Sequence, residues 1–233
     1  MALFKKEFLV STRNSKGILW FIFLFLIWLI QVAVNVVSRY NIQKYQTDIS
    51  PQSIILQTTQ FIIALYFICA FTLRFAFPSF SVEKKTAWIL ASAPLNFKKI
   101  FFSKYIFYTV FLVTVGLLMS SIDVRILHLT FIHATYSMVL FITTVVAIVT
   151  LGLTLGAAFP SLDSDDPEII STSMPGLFFT ALALLYGAMS AGILYLVLTY
   201  GIIYPVILFT LTTTILIGIA LLQIPKIVKG RAF

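Results

Sequence analysis

Six long apolar runs separated by short polar segments dominate the chain, over residues 18–37, 54–77, 100–122, 134–159, 177–199 and 202–224. At 1.5 Å of helical rise per residue, about 20 residues cross a hydrocarbon core of roughly 30 Å. The runs are continuous and do not alternate, so they do not read as the strands of a membrane barrel. The pattern predicts an all-α membrane protein, one bundle of six transmembrane helices. Prolines and glycines punctuate it: Pro78 closes the second run, Pro160 the fourth, Pro175-Gly176 precedes the fifth, and Tyr200-Gly201 divides the fifth from the sixth. Residues 1–17 are basic and half apolar and read as an interfacial lead-in, with Leu3, Phe4, Phe8 and Leu9 at the membrane surface. Arg39 to Pro51 reads as a polar loop.

The segment 81–104 between the second and third runs combines charge with a helical pattern. Val82, Ile89, Leu90 and Ala93 fall on one side of a helix over 81–93, with Lys84 and Trp88 on the other. Pro94 disfavours helical geometry at Ala93, and Asn96 can cap a new helix from Phe97. The expected form is a short amphipathic helix, an elbow at 94–96, and entry into the third span.

Composition strengthens the membrane reading: 60% of residues are hydrophobic and 10% charged. The net charge of +8 is unevenly placed. With both termini in the cytoplasm, Lys5, Lys6, Arg13, Lys16, Lys84, Lys85, Lys98, Lys99, Lys104, Lys226, Lys229 and Arg231 lie inside, and Arg39, Lys44 and Arg125 outside. That asymmetry of 12 bases to 3 sets the orientation, and it accounts for the basic charge without nucleic acid as a partner. Arg74 and Lys104, near the ends of their spans, are expected to snorkel to the headgroups. The single cysteine, Cys69, lies within an apolar run and reads as a small core residue.

Candidate chemistry is sparse. Asp163, Asp165, Asp166 and Glu168 lack the turn glycine and distal glutamate of a calcium loop. They read as helix capping, with Asp166 as cap, Pro167 at the first helical position and Glu168 against the dipole, and no metal is expected. His128 and His133 in the 123–133 loop, with no further His or Cys nearby, read as interfacial side chains. No acid lies in the spans and no histidine at membrane depth, which argues against an intramembrane protease. Gly152 and Gly156, Gly187 with Ala191, and Ala188 with Gly192 are spaced for close helix packing. Gln31 and Asn35 in the first span and Gln57 and Gln60 in the second lie at similar depth, so hydrogen bonds between these helices are expected. Together with Thr210, Thr213 and Thr214 of the sixth span they are possible path-lining groups, although threonines bonding their own backbone are the commoner case.

The elbow resembles the coupling region of ATP-binding-cassette exporter permeases of the second type. The residues that carry the resemblance are Glu83, Trp88-Ile89-Leu90, Ala93-Pro94, Ile100 and Lys104. Phe77-Pro78-Ser79-Phe80-Ser81, Ala158-Phe159-Pro160-Ser161-Leu162-Asp163, and then Ile169, Ser171 and Gly176 resemble a longer bacterial permease family, of which this chain is similar to the C-terminal half. Lys85 stands where that family commonly has glycine. The resemblance implies a permease subunit in the bacterial cytoplasmic membrane, exporting a substrate with a second permease half, itself or a homologue. It implies that Glu83, Trp88, Ile89, Leu90, Pro94 and Lys104 serve a helix docked on a separate ATPase. No G-x-x-x-x-G-K-[ST] occurs, so ATP and Mg²⁺ are expected on that ATPase, and neither catalysis nor a cofactor on this chain. The alternative is a non-transporting scaffold that uses the same helix only to hold a cytoplasmic partner.

Overall fold

The computed structural model describes residues 15–45, 51–82, 97–127, 131–160 and 167–229. All regular structure among them is helical. The elements are α1 (Ser15–Tyr45), α2 (Pro51–Phe71), α3 (Phe97–Leu127), α4 (Phe131–Ala158), the short α5 (Pro167–Ser171), α6 (Met174–Tyr200) and α7 (Tyr204–Lys229). α2 runs on without a break through a π turn, Thr72–Ala76, and a 3₁₀ turn, Phe77–Ser79. Among the described residues, five helical stretches are long and apolar enough to cross a membrane: Ile54–Ser79, Lys98–Ile126, Phe131–Ala158, Met174–Tyr200 and Tyr204–Gln223. α1 contributes a shorter apolar stretch, Ile22–Ser38.

Several boundaries differ from those read in the sequence. α1 continues two turns beyond the apolar run, through Arg39 to Tyr45, where a loop was expected. No proline or glycine interrupts residues 38–45, and polar side chains end a membrane span without ending a helix. Asp123 and Arg125 likewise extend α3, and His133 belongs to the first turn of α4 rather than to the loop before it. Pro51 opens α2, and Pro175 sits in the first turn of α6, positions that need no N–H donor. α6 ends where Gly201 adopts a left-handed conformation with φ 68° and returns its N–H to the Val197 carbonyl at 2.9 Å. The lead-in 1–14, the elbow 83–96 and the acidic segment 161–166 lie outside the described residues.

The helices are apolar on every side, so their neighbours decide which face is buried. α4 is the hub, packed against α2, α3, α6 and α7. Just over half of it is buried (56%), against 17% of α7, which lies at the edge. Leu140, Val145, Ile148, Val149 and Leu153 of α4 are fully enclosed together with Ile68, Leu112, Phe179 and Leu194. Aromatic pairs fix the crossings: Phe61 meets Phe141 edge-on at 5.6 Å, Phe71 meets Phe111 at 5.5 Å, and Tyr186 stacks on Phe209 at 5.1 Å.

Candidate functional site

The end of α2 is the crowded junction of the bundle. It reaches residue 82, directly before the elbow, and meets the start of α3, the end of α4, α5 and the start of α6. The π turn admits an extra residue into one helical turn: the Phe77 N–H bonds back to the Thr72 carbonyl, and every later side chain is rotated about the axis. Phe77, Pro78, Ser79 and Ser81 are all buried.

Two cations are held in this junction. Arg74 donates to the Glu168 carboxylate of α5 at 3.1 Å, and its guanidinium lies 4.4 Å over the Trp20 ring of α1. One side chain thus ties three elements together. The Lys104 ammonium donates to the Ser79 carbonyl at 3.3 Å and sits 5.4 Å from the centre of the Phe80 ring. Lys104 is only 1% exposed. Lys104 is enclosed rather than reaching outward, contrary to the sequence expectation, whereas Arg74 reaches a half-exposed carboxylate. A carbonyl freed at the end of a helix and the Phe80 ring hold the Lys104 charge inside the protein, and a half-exposed carboxylate and the Trp20 ring hold that of Arg74. Glu168 therefore serves as more than a helix-dipole partner.

Glycine makes the close approach possible. A Cβ on Gly156 would run into the Phe77 carbonyl oxygen, and one on Gly176 into that of Ser171. At Gly152 an added Cβ would stand 2.6 Å from Thr72 Cγ2 and 3.3 Å from Phe179 Cε2. Gly152 and Gly156 thus press α4 against the π and 3₁₀ turns. Gly187 is looser, with Leu65 Cδ1 at 3.7 Å from an added Cβ, and Ala191 is buried one turn on. The pair expected at Ala188 and Gly192 is exposed, and Gly192 meets nothing within 4 Å. It forms no packing face in this chain.

The polar groups of the spans lie elsewhere. Gln31 Nε2 donates to Asn35 Oδ1 at 3.3 Å within α1. Asn35, Gln57 and Gln60 are buried, yet their amide nitrogens have no hydrogen-bond partner. The expected donation from these amides between α1 and α2 is absent. In α7, Thr210, Thr213 and Thr214 all bond backbone carbonyls one turn back, to Ile207, Phe209 and Thr210. Thr213 is buried and also meets the Tyr186 hydroxyl of α6, whereas Thr210 and Thr214 bond at the exposed side. The three therefore do not line one path.

Among the described residues no cluster of three or more His, Cys, Asp or Glu side chains is placed to hold a metal ion. Glu83, Trp88, Ile89, Leu90 and Pro94 lie outside the described residues; of the expected docking set, the structure places only Lys104. The sequence reading missed the Arg74–Glu168 pair. Its signal was present as one base inside an apolar run and one acid just beyond the next hairpin.

A family model described as "Putative ATP-binding cassette" matches residues 1–222. The chain belongs to that family. No curated protein and no solved structure matches it. Family membership points to the ATP-binding-cassette transporters, and five apolar helices of spanning length are consistent with a membrane protein. The match takes in both the junction at the end of α2 and the buried amides.

Proposed function

We propose that this chain is the membrane-spanning permease subunit of an ATP-binding-cassette exporter. It moves a substrate across the cytoplasmic membrane, and a separate ATPase subunit supplies the energy. One observation carries the reading: a match over 1–222 to a family named for the ATP-binding cassette falls on a chain of apolar helices with no phosphate-binding glycine loop. In such a pairing the cassette and its bound ATP-Mg²⁺ belong to the partner. The 81–99 elbow docks on that partner, as a helix laid in a groove.

The junction is suited to receive the resulting motion. Residues 77–82 lead into the elbow, and Lys104 and Gly156 lock them to α3 and α4. A displacement of the elbow is passed to packed helices rather than absorbed by a loose loop. The test is to purify the tagged chain with an ATP-binding-cassette ATPase encoded beside it and to measure hydrolysis in lipid nanodiscs. Co-purification with substrate-stimulated hydrolysis is the expected result. A stable complex whose hydrolysis no substrate alters would instead favour a scaffold.

A further inference from the structure

Buried amides on α1 and α2 are left with unpartnered nitrogens. Gln31 uses the Asn35 carbonyl oxygen, leaving Asn35 Nδ2 orphaned. Gln57 Nε2, Gln60 Nε2 and the Trp28 indole N–H are orphaned as well. Asn35 is 0% exposed, Gln57 5%, Gln60 4% and Trp28 7%.

Helical geometry sets these residues in neighbouring turns of two packed helices. Among the described side chains of α1, Leu24, Trp28 and Asn35 are the buried ones, and at 100° per residue they fall on one stripe about 40° wide. α1 packs against α2 and α3, so that stripe faces them. α1 and α2 are joined through 46–50. Asn35 lies ten residues before the end of α1 and Gln60 nine after the start of α2, which sets them level. Gln57 is one turn nearer the connection, and Trp28 is two turns deeper. The same counting sets Phe61 level with Phe141, and those rings are in contact.

Buried donors without acceptors are rare in native proteins, because apolar residues of the same shape would serve stability better. Four such groups within about three turns of two packed helices imply a second arrangement in which partners reach them. We infer that the α1–α2 seam around Asn35, Gln57 and Gln60 is a closed solute site, which opens to take an uncharged polar molecule that hydrogen-bonds to amides. This inference rests on the permease reading and gives it a substrate class. An amide both donates and accepts, so the ligand must carry hydrogen-bonding groups. No charged residue occupies these turns of α1 or α2, the nearest being Arg39 one turn beyond Asn35, so a full charge on the ligand would be uncompensated.

The test is thiol accessibility in the full chain carrying Cys69→Ala, which removes the single native cysteine. Asn35→Cys, Gln57→Cys and Gln60→Cys are compared with Val36→Cys and Ile62→Cys, at the same depth but exposed on the outside of the bundle. The probe is an uncharged, membrane-impermeant sugar-linked methanethiosulfonate, which reacts only where water reaches. The seam cysteines are expected to react and the two outward ones not. Seam cysteines that react no faster than Val36→Cys and Ile62→Cys would overturn the site.

A second measurement covers misfolding of those variants. The triple variant Asn35→Leu, Gln57→Leu, Gln60→Leu should melt no lower than the parent in detergent while losing substrate-stimulated hydrolysis by its ATPase. A lower melting temperature would mean the amides have partners and would refute the inference. Labelling needs neither ATPase nor substrate. A reactive seam in a chain that binds no ATPase therefore defeats the exporter reading alone, and an unreactive seam in a coupled complex defeats the site alone.

Discussion

Gly156 is the single residue on which the junction depends most. Its Cα faces the Phe77 backbone carbonyl, and backbone at a π-to-3₁₀ transition cannot swing aside as a side chain does. Gly156→Ala is therefore expected to destabilise the chain by about 1–3 kcal/mol, the range of overpacking. Gly192→Ala meets only open space and should stay within about 0.5 kcal/mol. Thermal unfolding in detergent distinguishes them, and equal effects would show that α4 does not press on α2. A second residue-scale expectation concerns Arg74 and Glu168. Glu168 is half exposed, so the pair is screened, and an Arg74→Gln by Glu168→Gln double-mutant cycle should give a coupling of about 0.2–1 kcal/mol that shrinks with added salt. Arg74→Gln alone should cost more than Glu168→Gln, because it also removes the stacking on Trp20.

At the scale of elements, the elbow is the part whose role is most open to experiment. A helix docked in a groove concentrates its binding in a few anchors, with large aromatics favoured. Trp88 is the largest side chain in the segment, and Glu83 its only acid. Trp88→Ala and Glu83→Lys should leave membrane insertion unchanged, reduce ATPase co-purification and abolish substrate-stimulated hydrolysis. Pro94→Ala should uncouple the two subunits by letting the elbow helix fuse with α3. Wild-type association and stimulation in both Glu83→Lys and Pro94→Ala would remove the coupling role from this segment. The rest of the bundle is insulated from these changes, since α4 and its neighbours bury their own core.

For the whole molecule, orientation is the claim that the other readings share. With six spans and both termini inside, twelve bases would lie at one end of the bundle and three at the other. Cysteines at Gln46 and Gly201, in a Cys69→Ala chain, should label from outside intact cells, and those at Ala91 and Ser164 only after permeabilisation. Labelling of Ala91 from outside would invert the arrangement and place the elbow away from any cytoplasmic ATPase. α1 matters most here, because the orientation of every later helix depends on its crossing.

Hydrophobic run length alone determined that the chain is a bundle of long apolar helices, because 20 or so continuous apolar residues satisfy their backbone only as helix in lipid. Proline and glycine placed most helix ends to within a turn or so, as at Pro160 and Gly201. The polar extension of α1 to Tyr45 escaped this reading, since polarity marks a membrane boundary and not a helical one. Which faces are buried was hidden as well. Helices apolar all round carry no amphipathic stripe, so only packing decided that Gly156 meets Phe77 while Gly192 meets nothing. The fates of Arg74 and Lys104 belong to the tertiary structure for the same reason. A sequence shows a charge inside a span, but its partner, whether Glu168 or the Ser79 carbonyl, comes from another element brought beside it by folding.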